Sequence, residues 1–559
     1  MEQSDPSFNL IVVSDLAPGS PGALRARAVD KDSLDALLRE LGPSIEVPAG
    51  GGRTVVTFQE FKDFRPERLA ARVPALAQLL EFRKQAQELA AGSGSVEAVR
   101  ASLQKLGAYP DLARALEAAL QPSAPKPREA APAPKAAPIP TGSLEDLVDL
   151  GSAPAADAVS PEQIERTTAN LIDAVIGSSS APKPAPAALR AVGAQAEAAV
   201  APMLRAVLHD PRFRELEAAW RGLRMLVRSV DFRSGCRLHV VAAPRSALLH
   251  AVRETALPLA DDLRSQGKTS CLLLDFTFDG SEDELVAIAE DAAARSLPAI
   301  ASAGLEVAVR ELAAGLGDAS QGAWLRLRSA PAARWLALAA NRFLLRVPYG
   351  AAGDPPKNLA FEELQNPETP LPWGRAGWLL AALIAGSVAK TGWGCDFSGR
   401  DAAAGVEPLP MRPGEADTTP LETDLTDAAA HALGDAGLLP LACRRGNDRP
   451  FAAGSGTVYK PKKDESATSL RYALFAAPIA AAMESLLGQI DMTYSVPDIA
   501  KTIGAALQLL GMTEEGPLFT ATAAASSGGR PVVDVRIRPQ GGVLRGLPDL
   551  TFEVPIVLH

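Results

Sequence analysis

Between residues 121 and 142 the chain reads QPSAPKPREAAPAPKAAPIPTG, and no packed element can run through it. Each proline lacks a backbone donor and holds φ near about −65°, so the stretch favours extended polyproline II. It is expected to be a linker. A shorter segment of the same kind, SSSAPKPAPA, covers 178–187. These two segments divide the chain into a front module over 1–120, the linker 121–142, a short piece with the second linker over 143–190, and a large back module over 191–559. No internal repeat is evident.

The front module opens with an apolar run, Phe8 to Val13, bounded by Asp15 and Pro18, which suits a buried strand. In DKDSLDALLREL the residues Leu34, Leu37, Leu38 and Leu41 follow an i, i+3, i+4, i+7 stripe, with Asp32 or Ser33 as N-cap. That predicts an amphipathic helix. Gly50 to Gly52 turn the chain into the strand-like TVVTF at 54–58. From Pro66 a second helical pattern carries Leu69, Val73, Leu76, Leu80 and Phe82, and Pro74 within it must start a helix or force a break.

In the middle piece, Ser160, Pro161 and Gln163 have capping-box spacing, and Ile164, Leu171, Ile172 and Val175 share one face of the helix they open. That face docks either on the protein's own body or on a separate partner. The back module alternates strand-like runs, CRLHVVAA (236–243) and SCLLLDF (270–276), with helical ones such as EDELVAIAEDAAAR (282–295). Alternation of this kind points to a mixed α/β fold with helices covering a sheet. The back module closes on two β-rich segments, VVDVRIRP (532–539) and DLTFEVPIVL (549–558), around a glycine-containing turn.

The sequence offers little that could carry chemistry. With 47% hydrophobic and 22% charged residues the chain is globular in composition, and its net charge of −10 without a Lys/Arg block argues against nucleic acid or anionic lipid as a partner. Cys236, Cys271, Cys395 and Cys443 are too far apart for a CxxC pair and read as buried thiols of a reducing compartment. His209, His239, His250, His431 and His559 show no metal-ligand spacing. GxSxG is absent, and GSVAKTG at 386–392 lacks the glycines of a phosphate loop, so Lys390 reads as a cation at a helix C-terminus.

The acid pairs Asp261-Asp262, Glu362-Glu363 and Glu514-Glu515 read as solvated surface, because adjacent carboxylates do not face each other on a helix. Trp220, Trp324, Trp335, Trp373, Trp378 and Trp393 are spread singly and read as core anchors. AGWLLAALIAGSVA at 376–389, the most lipid-like stretch, falls short of the roughly 20 apolar residues of a spanning helix and reads as buried. The acidic start, MEQSDPSFNLIVVSDL, is unlike a secretory signal. No catalytic, cofactor-binding or metal-binding residue is expected.

Four strings of the back module occur in a telling order: DPRFRELEAAWRGLRMLV (210–227), GAWLRLRSAPAARWLALAANRFLLRVPYG (322–350), FEEL (361–364) and LPWGRAGWLLAALI (371–384). Together they resemble the large subunit of the type VI secretion contractile sheath, whose marks include LE-x-x-WRGL, R-x-LLR-x-PYG and a later WG. In this chain those positions are Glu217, Trp220 and Arg221, then Arg346, Pro348, Tyr349 and Gly350, then Trp373 and Gly374. In the front module, FNLIVVSDLAPG, RAVDKDSLDALLRELGPSIEV and FQEFKDFRPERLAARVPALAQLLEFR are similar to the small sheath subunit. Both subunits therefore look fused in one chain.

Locally these motifs are structural: Glu217 and Arg221 stand at i, i+4 while Leu216, Trp220 and Leu223 face the core, and Pro348 with Gly350 turns the chain after an apolar strand from Phe343 to Val347.

The resemblance implies a mixed α+β sheath-subunit fold in which the two modules share an intertwined sheet flanked by helices. It implies a structural subunit of a cytoplasmic contractile sheath that surrounds and drives an inner tube, self-associates into rings and meets baseplate components. Rival readings are a non-polymerising cap, baseplate or adaptor protein and, more remotely, an enzyme without a recognisable motif. Seven residues precede Phe8, so the basic arm that opens the family's small subunits is expected to be short here. In that family an AAA+ unfoldase recognises a short helix near the start of the large subunit. SLEDLVDLG at 143–151 stands there, with Leu144, Leu147, Val148 and Leu150 as apolar contacts. It is such a helix or an acidic stretch without a partner.

Overall fold

The computed structural model describes residues 8–121 and 185–556, apart from 20–23, 50–51, 107–108, 280–282, 307–318, 367, 403–404, 415–416, 464, 491–493, 514–515 and 527–531. The expected helices over 143–151 and 160–177 lie outside the described residues. The front half gives β1 (Phe8–Ser14), β2 (Ala26–Val29), α1 (Leu34–Leu41), β3 (Ser44–Ala49), β4 (Gly52–Thr57), α2 (Pro66–Arg72), α3 (Pro74–Ala90), α4 (Val96–Leu106) and α5 (Pro110–Leu120). Next come α6 (Pro186–Leu208), α7 (Pro211–Ser229), β5 (Arg237–Ala242), α8 (Leu248–Ala251), α9 (Leu257–Ser265), β6 (Thr269–Phe278), α10 (Asp283–Ala294), β7 (Ala299–Ala303), α11 (Ala319–Ser329) and β8 (Leu336–Ala340). A short ribbon follows, β9 (Phe343–Leu344) with β10 (Trp373–Gly374), then α12 (Ala376–Thr391), α13 (Asp427–Asp435), β11 (Leu439–Ala442), β12 (Phe451–Ala452), α14 (Leu470–Leu487) and α15 (Val496–Leu510). The last strands are β13 (Met512–Thr513), β14 (Gly516–Pro517), β15 (Phe519–Ala525), β16 (Val532–Pro539) and β17 (Leu550–Pro555).

The chain forms two compact units, one of Met1–Val73 with Met203–His559 and one of Pro74–Pro202. In the first, eight strands form a sheet in the order β2-β5-β1-β6-β7-β8-β11-β12. The six from β5 to β11 are parallel, and β2 and β12 run antiparallel at the edges. Thus β1, from the front module, lies between two strands of the back module, with Leu10 opposite Leu238 on one side and Cys271 on the other. All seven of its residues are buried. A central parallel strand has both faces covered, which is why its sequence is continuously apolar rather than alternating.

Helix α12 covers this sheet. Its Gly377 N–H donates to Ser302 Oγ at 2.8 Å, and a Cβ at Gly377 would lie 3.1 Å from Leu273 Cδ1, so the helix end rests directly on β6 and β7. The helix stops at Gly392, whose φ of 75° suits glycine, with Lys390 in the last turn. Among the described residues α14 is the one helix long and apolar enough to cross a membrane, although half of that span is buried within the protein. Helix α12 is apolar and buried as expected, but shorter than a span requires.

A three-stranded antiparallel sheet, β15-β16-β17, carries both β-rich segments expected near the end of the sequence. Helix α15 packs on it, and Gln508 bonds the backbone of Phe519 and Ala521 on β15. Strand β17 pairs with β16 alone among the described residues.

The second unit is helical. Arg83 of α3 pairs with Glu197 of α6 at 2.8 Å, and Val99, Leu106, Leu112 and Leu116 are buried. The proline at 74 does both things expected of it: Val73 is extended and ends α2, and Pro74 opens α3.

Several expectations change. The apolar strand from Phe343 to Val347 is only two residues long, matching the two residues Trp373–Gly374 it pairs with; before it, Asn341 turns with φ 82°, its amide held by the carbonyls of Thr423 and Leu441. The second linker ends early, since Pro186 already opens α6. Cys443 is half-buried, its Sγ 3.2 Å from the Asn447 carbonyl, whereas Cys236, Cys271 and Cys395 are fully buried. Ser33 stands at the N-cap of α1 but makes no side-chain cap; Asp30 Oδ1 instead accepts from the Asp32 and Ser33 N–H groups and the Ser33 hydroxyl.

Candidate functional site

The helix that carries the WRGL string is opened by Asp210, whose Oδ1 accepts from Arg212 N at 3.0 Å, with Pro211 at its first position. Its apolar stripe, Phe213, Leu216, Trp220, Leu223 and Val227, is buried. Trp220 is fully buried, and its Nε1–H donates to the Leu16 carbonyl at 3.1 Å, just beyond the end of β1. The Phe61 ring meets the Trp220 indole edge-on at 6.0 Å. Trp220 is therefore a packed anchor with its single donor satisfied.

The opposite flank of α7 bears charge, and here four separate strings converge. Arg221 Nε donates to Glu217 Oε1 at 2.7 Å, the pair expected from i, i+4 spacing. Glu217 is also buried against Arg346, whose Nε donates to Glu217 Oε1 at 2.8 Å. Arg346 in turn makes a fork with Glu363, Nη1 to Oε2 at 2.7 Å and Nη2 to Oε1 at 2.9 Å. Glu363 Oε2 accepts the Tyr349 N–H at 2.8 Å, and Arg221 Nη2 donates to the Tyr349 hydroxyl at 3.0 Å. The Arg346 guanidinium lies 4.0 Å from the Tyr349 ring centroid. Burial alone would raise the Glu217 carboxyl, but Arg346 and Arg221 outweigh it and hold it at about 2. Burial would likewise lower Arg346, and Glu217, Tyr349 and Glu363 together raise it well above its ordinary value.

The front module reaches the same place. Arg65, from the DFRPERL string, makes a two-pronged contact with Asp354, at 2.8 and 3.0 Å, and lies 5.6 Å from the Tyr349 ring centroid. The Asp354 N–H donates to the Pro348 carbonyl at 3.2 Å, so this contact braces the PYG turn. Gly350 has φ +152°, and a Cβ there would lie 2.0 Å from Glu362 Oε2, while Glu362 Oε1 accepts from Ala351 N at 2.8 Å. Trp373 lines the same small cavity as Glu217, Arg346 and Glu363. Gly374 lets β10 approach β9, since a Cβ there would lie 2.7 Å from the Phe343 ring.

Of the singled-out residues, Glu217, Arg221, Arg346, Tyr349 and Trp373 thus come together, Pro348 and Gly350 shape the turn beside them, and Trp220 faces the other way. Glu363 overturns the reading of the Glu362-Glu363 pair as solvated surface: it is 2% exposed, because the two buried carboxylates bracket one buried guanidinium. Arg346, read only as part of a motif, is the signal that could have found it, since a buried arginine needs more than one acceptor. Gly222 was also missed. A Cβ there would lie 2.4 Å from the Trp378 indole Nε1, so the glycine sets the approach of α7 and α12.

A second buried contact ties the sheet together at the ends of its central strands. Ser14 Oγ donates to Asp275 Oδ2 at 2.7 Å, and Arg375, which also meets Glu215, donates to both Asp275 oxygens at 3.1 Å. No group of three or more His, Cys, Asp or Glu stands in position to hold a metal among the described residues. The arrangement fixes elements rather than presenting a reactive atom: every polar group of the Glu217–Arg346–Glu363 cluster is spent on another protein group.

One module donates the central strand of the other's sheet and buried ion pairs brace the two, a two-part subunit that comparison with known proteins relates to tail sheath proteins. The family model of VipB (EvpB), tail sheath N-terminal domain, matches residues 191–261 and 268–458, and that of type VI secretion system VipA matches residues 2–121. The chain belongs to the type VI secretion sheath families, with the small-subunit and large-subunit regions on one polypeptide.

Type VI secretion system sheath protein TssC1 of Pseudomonas aeruginosa is 25% identical over 317 residues, a match covering 50% of this chain and 64% of that protein. Among solved structures, the sheath tail protein of Desulfitobacterium hafniense aligns over 54% of this chain and 58% of its own, at 9% identity and a TM-score of 0.29. The contracted helical sheath of the anti-feeding prophage aligns over 60% of this chain and 78% of its own, at 13% identity and a TM-score of 0.31.

Proposed function

We propose that this protein is a non-enzymatic structural subunit of the cytoplasmic contractile sheath of a type VI secretion apparatus, surrounding an inner tube and driving it outward. The observation that carries this reading is the meeting of Arg65 from the small-subunit region with Asp354 and Tyr349 of the large-subunit region, beside a sheet that both regions build. Fusion supports the same role: the tether keeps the strand Phe8–Ser14 at high effective concentration near β5 and β6. The partners are further copies of the chain, the tube protein and baseplate components, with an AAA+ unfoldase as the reader of residues 143–151. Copies interlock by adding a strand to the edge of β17 that is unpaired among the described residues.

Negative-stain microscopy of the purified protein, alone and co-expressed with an inner-tube protein of a type VI secretion apparatus, tests the assembly. Rings or hollow tubes are expected. Uniform single particles under both conditions overturn the polymer and favour the cap, baseplate or adaptor reading. Loss of tubes on deletion of residues 549–559 assigns the interlock to β17, and unchanged tubes exclude it.

A further inference from the structure

Although the chain carries a net charge of −10, one groove of about 1220 Å³ in the larger unit is strongly basic. Lys31, Lys62, Arg68, Arg224, Arg228 and Lys357 line it, and none of the six has an ion-pair partner among the described residues. They come from four places in the sequence, which is why no basic block is visible there. Four carboxylates also line the groove, but Glu67 and Asp354 are already taken by Arg65. Arg221, Arg224 and Arg228 stand at i, i+3, i+7 on α7, so their guanidiniums share one flank of the helix. Burial and the neighbouring Arg228 and Arg221 hold the Arg224 guanidinium below its ordinary range. Asp35, also on the lining, offsets part of this at Arg224, but the cations remain in excess; like charges in such excess cost stability, and an occupant of opposite sign relieves that cost.

We propose that this groove is the docking site for an acidic polypeptide segment with interspersed apolar side chains, supplied by a second protein chain. Charge complementarity sets the sign of the occupant. The walls set the rest: the half-buried Leu345, Val347 and Pro410 line the groove with the cations and offer apolar contact that a string of phosphates cannot use. Nor do the aromatic rings among the described lining residues, Phe61 and Tyr349, offer an open face for bases to stack on. The Phe61 ring has Arg224 4.9 Å from its centroid and Trp220 at its edge, and the Tyr349 ring is faced by Arg346 and Arg65. The overall negative charge also repels a polynucleotide from the rest of the surface.

The test is fluorescence anisotropy on the full-length chain with three labelled probes: the peptide GELLEELLEG, a polyglutamate of the same charge, and a twenty-nucleotide oligothymidylate. Saturable binding of GELLEELLEG is expected, tighter than polyglutamate, and weakened about tenfold or more by Arg224→Glu with Arg228→Glu. The control pair Lys463→Glu with Lys501→Glu changes net charge equally at exposed sites away from the groove and should leave binding within about twofold. Circular dichroism melts of both variants keep a binding loss separate from a folding loss; if the double arginine variant fails to fold, Lys62→Glu with Lys357→Glu takes its place. The proposal is overturned if GELLEELLEG shows no saturable binding, if the control pair weakens it as much as the groove pair, or if the oligothymidylate binds more tightly than the peptide.

Discussion

Gly222 and Trp378 approach so closely that a Cβ on Gly222 would lie 2.4 Å from the indole Nε1. Helix α7 from the WRGL string and the buried helix α12 are in contact at this point. A methyl group at 222 must push the indole out of a fully buried site, so Gly222→Ala is expected to cost about 1–3 kcal/mol in chemical denaturation. Adding Trp378→Leu should recover part of that loss. A double variant whose penalty equals the sum of the single penalties would place the cause elsewhere.

Removing the Glu217 charge tests the buried cluster. Glu217→Gln leaves Arg346 short of one of its two carboxylates, and a loss of roughly 3 kcal/mol at pH 7 is expected. The carboxyl sits at about 2 in the folded protein against an ordinary 4.5, so its contribution is fully present above about pH 4.5 and fades as pH falls toward 2. The gap between wild type and Glu217→Gln should therefore narrow below pH 4.5. Urea titrations at pH 7, 5, 4 and 3 read this directly, and a gap independent of pH would remove the charge from the explanation.

Trp220 separates packing from hydrogen bonding. Trp220→Ala is expected to cost about 3–5 kcal/mol through the cavity it leaves and to lower soluble yield. Trp220→Phe retains an aromatic side chain but leaves the buried Leu16 carbonyl without this donor, which should cost about 1–3 kcal/mol. An alanine variant that melts normally yet no longer assembles would make Trp220 a partner contact instead.

The four thiols should react in two classes. Burial pushes Cys236, Cys271 and Cys395 up to about 12 and the half-buried Cys443 up to about 11. With a colorimetric disulfide reagent at pH 8, Cys443 is expected to react first in the native protein, and Cys443→Ser should remove that phase. A first phase that survives Cys443→Ser would mean that one of the buried thiols opens to solvent.

How far these features could be read in advance depended on whether they are local. The run Phe8–Val13, the stripe of Leu34, Leu37 and Leu38, and the proline break at 74 each follow from a few adjacent residues, and each appears as expected. The ion cluster was legible only in its local half. Glu217 and Arg221 are four positions apart, but Arg346 reaches Glu217 across 129 positions, and no periodicity links them. Glu363 was misread for the same reason, since a carboxylate beside another carboxylate looks solvated until a distant arginine is brought to it. The basic groove was invisible because its cations are scattered, and the close contact at Gly222 because glycine declares flexibility long before it declares proximity.

The central position of β1 has a consequence for how the protein is made. Ser14 finds its partner Asp275 only 261 positions later in the chain. At about 5–20 residues per second, a ribosome needs roughly 13–50 s to deliver that partner. Until β5 at 237–242 has been made, this apolar, β-branched segment has no strand partner among the described residues, and its closure over a long loop makes this a high-contact-order step. Translation speed and chaperone supply thus bear on the yield of this subunit as directly as any residue in its core.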